Sequence, residues 1–343
     1  MTRAPRVVVI TGASAGVGRE TARAFARRGD AIALIARGPE RLEAARAEAQ
    51  ALGARAIAIA LDVADAAAVD RAASRIEAEL GPIDVWVNNA MVAVLAFVHE
   101  TDAADVRRVM EVTFLGQVHG TLAALRRMRP RDRGTIVMVG SALAYRGIPL
   151  QATYCAAKHA TRGFADALRC ELMHEHSGVR VTTVHLPGLN TTQFGWVRTT
   201  LRRHPKPVAP FYQPEIAAEA IVRASDHPRR EVFVGGSTVA TILGNRLAPR
   251  VADLWLARTA VGGQRAEIAI GPQRPDYLYE PLPGDRGSHG IFDADAAARS
   301  PTWWLTKHRN TAGGALVAAI AGTLAARRPR AVAPETARRR RHR

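Results

Sequence analysis

Short runs of β-branched and other apolar residues recur along the first two thirds of the chain, at 6–10, 31–36, 56–61, 85–87, 135–139, 179–185 and 232–234. Between them lie longer Ala-rich stretches, among them 19–28, 39–52 and 66–80, with apolar positions at helical spacing. A short apolar run bounded by turn residues is the signature of a strand buried on both faces, and the intervening stretches are long enough to cross back over a sheet. The alternation predicts an α/β fold, a Rossmann-type doubly wound parallel sheet of about seven strands with helices on both faces. Past residue 236 the alternation stops and turn-rich pieces take over, at 271–275 and 280–290. The chain divides accordingly into a Rossmann-type α/β domain at 1–236, an irregular, partly helical C-terminal extension at 237–326, and an Arg-rich tail at 327–343 with the composition of a disordered end.

Composition agrees with a folded core: of 343 residues 48% are apolar and 23% charged, which excludes wholesale disorder, collagen and coiled coil. The net charge of +17 is unevenly placed, because residues 299–343 hold eleven Lys and Arg against the single acid Glu335. The body is only mildly basic, so no nucleic-acid partner is expected. Two cysteines, Cys155 and Cys170, cannot build a disulfide framework, and the chain reaches its first apolar run, Val7 to Ile10, without the longer one of a signal peptide. These features predict a cytoplasmic protein. The apolar stretch 312–326, flanked by His308-Arg309 and Arg327-Arg328, is short for a transmembrane helix; it reads either as a peripheral membrane contact, with Trp303 and Trp304 at the interface, or as a helix packed on the core or a partner subunit. No Cys/His spacing suits a metal, so none is expected.

The first strand runs directly into Thr11-Gly12-Ala13-Ser14-Ala15-Gly16-Val17-Gly18 and then a helix. Glycines here permit a tight turn, close approach of backbone to a pyrophosphate and close helix packing, and the helix N-terminus then faces the phosphates. An NAD site would place an acid after the second strand to grip the ribose hydroxyls. Arg37 stands there instead, suited to the 2′-phosphate of NADP(H). Tyr154 and Lys158 are four residues apart on one predicted helix, so both can act on one ligand. A neighbouring ammonium favours phenolate and brings a group that titrates near 10 towards useful proton exchange.

Together the glycine motif at Thr11 to Gly18, Asn88-Asn89-Ala90, Ser141, the Tyr154 to Lys158 run and Pro187-Gly188 resemble the classical short-chain dehydrogenase/reductase family over about residues 5 to 236. The resemblance implies Tyr154 as general acid/base, Lys158 lowering its pKa and binding the nicotinamide ribose, and Ser141 orienting the substrate oxygen. It places Asp62 and Val63 at the adenine edge, Asn88 to Ala90 beneath the ribose, Pro187 and Gly188 beside the nicotinamide, and Thr191 or Thr192 on the carboxamide. The family's fourth catalytic position, an Asn that kinks a helix and holds a water, is Thr113 here, which predicts a slower or rerouted proton relay. The segment 189–213, with Phe194, Trp196, Phe211 and Tyr212, is expected to form a mobile lid over a largely hydrophobic substrate, and Met91, Leu143 and Tyr145 to add to the pocket wall. Family members pair through the helices expected at 103–128 and 151–176, so a homo-oligomer is expected.

The residues thus point to an NADP(H)-dependent oxidoreductase interconverting a carbonyl and a secondary alcohol. The alternative is a cofactor-binding sensor or interaction protein that kept the fold and lost efficient chemistry, with Thr113 as its only direct support.

Overall fold

The computed structural model describes residues 4–271 and 273–308. Seven strands form one parallel sheet: β1 (Val7–Thr11), β2 (Ala31–Ala36), β3 (Ala56–Ala60), β4 (Ile83–Asn88), β5 (Gly134–Ser141), β6 (Val179–Leu186) and β7 (Glu231–Phe233). Their spatial order is β3-β2-β1-β4-β5-β6-β7, so the chain reverses its direction of travel across the sheet between β1 and β4. A crevice opens at such a point, at the carboxyl ends of the strands.

Alternation along the strands feeds two cores. Val8 and Ile10 of β1, with Ile32 and Leu34 of β2, face α1 (Gly16–Ala26), α2 (Pro39–Ala51) and α7 (Pro214–Asp226), where Phe25 is fully buried. Val7, Val9, Ala33 and Ile35 face the opposite way, towards α3 (Ala66–Leu80), α4 (Ala103–Met110), α5 (Gly116–Met128) and α6 (Ala152–His174). Two of the helices that cross over the sheet carry side-chain caps: Asp65 accepts from the Ala68 N–H at 2.9 Å, and Asp102 from the Ala104 N–H at 3.0 Å. Helix α1 has none, since its cap residue is Ala15 and no acid lies in its first turn. Its first N–H groups are left for other partners.

Beyond β7 come α8 (Gly236–Leu247) and α9 (Pro249–Gly263), then residues Arg265–Ala269, which pair antiparallel with Arg203–Pro205. The chain next returns along the carboxyl edge of the sheet. Arg37 donates to the carbonyls of Tyr277, Leu278 and Tyr279, and the Arg108 Nε to that of Leu278 at 3.1 Å. Asp285 pairs with Arg19, the Ser288 hydroxyl donates to Glu20 at 2.5 Å, and His289 lies 2.8 Å from Glu215. The described residues end in α10 (Pro301–Lys307). Compact packing divides the chain at Trp303/Trp304, and the extension up to Trp303 belongs to the same unit as the sheet. The apolar stretch 312–326 and the Arg-rich tail 327–343 lie outside the described residues.

Candidate active site

Register along the sheet brings the sequence motifs to one edge. Ile10 pairs with Val87, Asn88 with Met138 and Ser141 with Leu186, so the turns after β1, β4, β5 and β6 all open on the same crevice. The crevice is a cavity of about 720 Å³ lined by Gly12, Ser14, Gly16 and Val17 at one end, by Ser141, Tyr154 and Lys158 in the middle, and by α8 and α9 beyond.

The glycine turn is set by sterics. Gly12 has φ +68°, and a Cβ there would come within 2.8 Å of the Ala90 Cα. A Cβ on Gly18 would collide with the carbonyl oxygen of Gly12. The turn is locked from beneath: Thr11 Oγ1 accepts from the N–H groups of Asn89 at 2.9 Å and Ala90 at 3.1 Å, while the Asn89 amide donates to the Thr11 carbonyl at 3.0 Å. Thr11, Gly18 and Asn88 therefore support the cavity without lining it. Asn88 is fully buried, bonded to Trp86 Nε1 at 2.9 Å and to the Thr121 hydroxyl at 2.9 Å. Asn89 and Ala90 carry the lining role.

Tyr154 and Lys158 stand one turn apart on α6, with the ammonium 5.5 Å from the centre of the Tyr154 ring. Lys158 Nζ donates to the Val139 carbonyl at 2.7 Å, and Ser141 Oγ accepts from the Leu143 N–H at 3.1 Å. Burial pushes the Tyr154 phenol well above its ordinary range, with the Ser141 hydroxyl opposing, and pushes the Lys158 ammonium down to about 7.

Between α4 and α5 the helix opens into a π turn, Glu111–Leu115, with Thr113 fully buried inside it. Such turns release backbone groups from the helical ladder. The Thr113 hydroxyl donates to the Val92 carbonyl at 2.7 Å and accepts from the Val92 N–H at 2.9 Å, tying the helix to the loop after β4. Thr113 does not line the cavity. Gln117, four residues further on and 1% exposed, donates to the Thr113 carbonyl at 3.4 Å and to the Val139 carbonyl at 3.3 Å. Its amide thus shares the Val139 oxygen with Lys158, a link that no motif announced; the i, i+4 spacing from Thr113 was its only trace in the sequence.

At the nucleotide end Arg37, Asp62, Val63 and Arg41 line the cavity. Asp62 accepts from the Ala64 N–H at 3.0 Å and pairs with Arg108. The returning extension supplies the outer wall through Tyr277 and Pro281. Its backbone engages Arg37, as described, and Arg41 through the Leu282 carbonyl, while the Gly287 carbonyl accepts from the Gly16 N–H at 3.4 Å. The Tyr277 hydroxyl accepts from the Ala93 N–H at 3.0 Å. A helix N-terminus without a side-chain cap, a glycine floor with no room for side chains and two guanidinium groups along one cavity fit a dinucleotide phosphate chain.

The other end is apolar. Leu143 and Ile148 line it beside α8 and α9, while Pro187, Gly188, Thr191, Thr192, Met91 and Phe194 line the cavity elsewhere and Trp196 lies at the nucleotide end, its ring 4.8 Å from the Arg41 guanidinium and against Tyr277. Phe211 and Tyr212 are buried against the scaffold, where they pair with Gly188 and Leu189. Tyr145 turns away from the cavity to donate to Glu231, beside the fully buried His185. His185 Nδ1 lies 3.2 Å from the carbonyl of Ser141 and its Nε2 3.1 Å from Glu231, so this group braces the serine from behind.

Residues 6–201 match the family model for short chain dehydrogenases. The uncharacterized oxidoreductase YxnA of Bacillus subtilis is 33% identical over 329 residues, 95% of this chain and 91% of that one, so the likeness runs through most of the extension as well. Among solved structures, an alcohol dehydrogenase from the archaeon Thermococcus sibiricus complexed with 5-hydroxy-NADP aligns with TM-score 0.59 and 28% identity, covering 67% of this chain and 96% of that one. A short-chain dehydrogenase from Streptomyces avermitilis aligns with TM-score 0.64 and 28% identity over 76% of this chain and 99% of that one. Sequence match, sheet order and site geometry agree, and the chain belongs to the short-chain dehydrogenase family of oxidoreductases.

Proposed function

We propose that this protein is an NADP(H)-dependent oxidoreductase that interconverts a carbonyl and a secondary alcohol on a largely hydrophobic small molecule. One observation carries the reading: Ser141, Tyr154 and Lys158 line the same cavity as the glycine turn. The bound nicotinamide supplies or takes up the hydride at the substrate carbon. The Ser141 hydroxyl donates to the substrate oxygen and holds it in front of Tyr154. In reduction the Tyr154 phenol gives its proton to that oxygen; in oxidation the phenolate removes it. Lys158 binds the nicotinamide ribose and, as ammonium, favours the phenolate.

Preference for NADP(H) is supported by Arg37 and Arg41 on the nucleotide wall, by the absence of an acid after β2, and by the NADP derivative in the Thermococcus enzyme. The apolar lining beside α8 and α9, from Leu143, Ile148 and Leu256, supports a hydrophobic substrate. A homo-oligomer through α4, α5 and α6, located in the cytoplasm, completes the reading. The test is turnover of a carbonyl panel with NADPH: Tyr154→Phe is expected to lose at least about a thousandfold in rate while keeping cofactor affinity. Wild-type turnover in that variant would overturn the assignment. NADPH binding without turnover in the unaltered chain would favour the sensor reading.

A further inference from the structure

Helices α8 and α9 are apolar on two sides at once. Their inner stripe, including Ala240, Thr241, Gly244, Ala252 and Leu256, lines the cavity. Their outer stripe is exposed: Val239, Leu243 and Leu247 follow one another at four-residue steps on α8, and Val251, Leu254 and Trp255 continue on α9. Leu247 is 81% exposed, Val251 65%, Trp255 60% and Leu254 57%. A helix apolar on both faces belongs in an apolar surrounding, and a contiguous exposed patch of this kind marks an interaction surface.

The charges around the patch decide the occupant. Arg246, Arg250 and Arg258 are exposed on the same two helices, and no carboxylate among the described residues pairs with them. The helices' one acid, Asp253, is bound to Arg146. A second copy of a chain with net charge +17 would bring arginines against arginines, whereas an anionic surface would complement them. We propose that the outer face of α8 and α9 docks on an anionic lipid bilayer, with Leu247, Val251, Leu254 and Trp255 entering the acyl boundary and the three arginines meeting headgroup phosphates. Val251 and Trp255 belong both to this face and to the cavity wall, so the docked surface adjoins the mouth through which an apolar substrate would leave the bilayer. This last step rests on the reductase reading; the docking itself does not.

The test uses the full chain with phosphatidylglycerol vesicles, phosphatidylcholine vesicles as control, and acyl chains brominated near the headgroup. Trp255 is expected to be quenched by the brominated chains, with that part of the signal absent in Trp255→Phe. The double variant Leu247→Asp/Leu254→Asp, at positions outside the cavity wall, is expected to weaken vesicle affinity by at least about tenfold. Its NADPH affinity and its turnover of a short water-soluble carbonyl should be unchanged, which also shows that it folds. Vesicle binding that survives the double variant and vanishes with salt would assign the contact to the Arg-rich tail and overturn the proposal. Loss of a dimer in the double variant, with no change in vesicle binding, would make the face a subunit interface and overturn it equally. If vesicle binding behaves as expected but no carbonyl is turned over, docking stands and the reductase reading falls.

Discussion

At Lys158 burial and function pull in opposite directions. The proposed mechanism needs an ammonium beside Tyr154, yet enclosure in the cavity wall lowers this group to about 7. Sign follows from that value: below about pH 7 the cation is present in the free protein, and above it binding an anionic cofactor must first restore the proton. NADPH affinity is therefore expected to fall as pH rises above 7, by up to about tenfold per unit, and Lys158→Met is expected to flatten the dependence. A titration of Kd between pH 6 and 9 checks it; a flat wild-type curve would remove Lys158 from the ligand's reach. Gln117 offers a second residue-scale test, because it shares the Val139 carbonyl with Lys158. Its hydrogen bonds are long and its Oε1 has no partner among the described residues, so Gln117→Leu should change stability by only about 1 kcal/mol. As a positioning residue it should still shift the pH limb of NADPH binding. An unmoved limb would leave it a packing residue.

Among the elements, those built on local signals were legible from the sequence. The central strands announced themselves as apolar runs because helices cover them on both faces, and the glycine turn as a motif because Gly12 and Gly18 sit where no side chain fits. The π turn at Thr113 was hidden, since nothing in Glu111 to Leu115 departs from helical periodicity. Hidden too was the returning strap at 277–288. Its links to Arg19, Arg37 and Arg41 join residues about 240 or more positions apart, and most run through backbone carbonyls, which leave no trace in side-chain patterning. The lid aromatics were only half legible: Phe194 and Trp196 line the cavity while Phe211 and Tyr212 pack beneath it. Arg37 holds the strap and lines the cavity, and on the proposed reading it also faces the nucleotide. Arg37→Ala should weaken NADP binding more than NAD binding by about tenfold, roughly the worth of a charge-assisted contact. Equal losses for both cofactors would mean that Arg37 serves the strap alone.

Over the whole molecule the account is of a Rossmann core whose carboxyl edge is roofed by its own C-terminal extension. The strap walls the nucleotide end through Tyr277 and Pro281, and α8 and α9 wall the substrate end. Extension and family domain thus share one cavity, and the likeness to YxnA likewise continues past the domain. The central claim is that this cavity runs carbonyl reduction through Tyr154. It is tested most directly by following NADPH oxidation with a panel of apolar ketones and aldehydes, comparing the unaltered chain with Tyr154→Phe, cofactor affinity being measured in both. The account predicts turnover in the unaltered chain, NADPH bound equally by both, and loss of turnover in the variant; equal turnover in the two would contradict it.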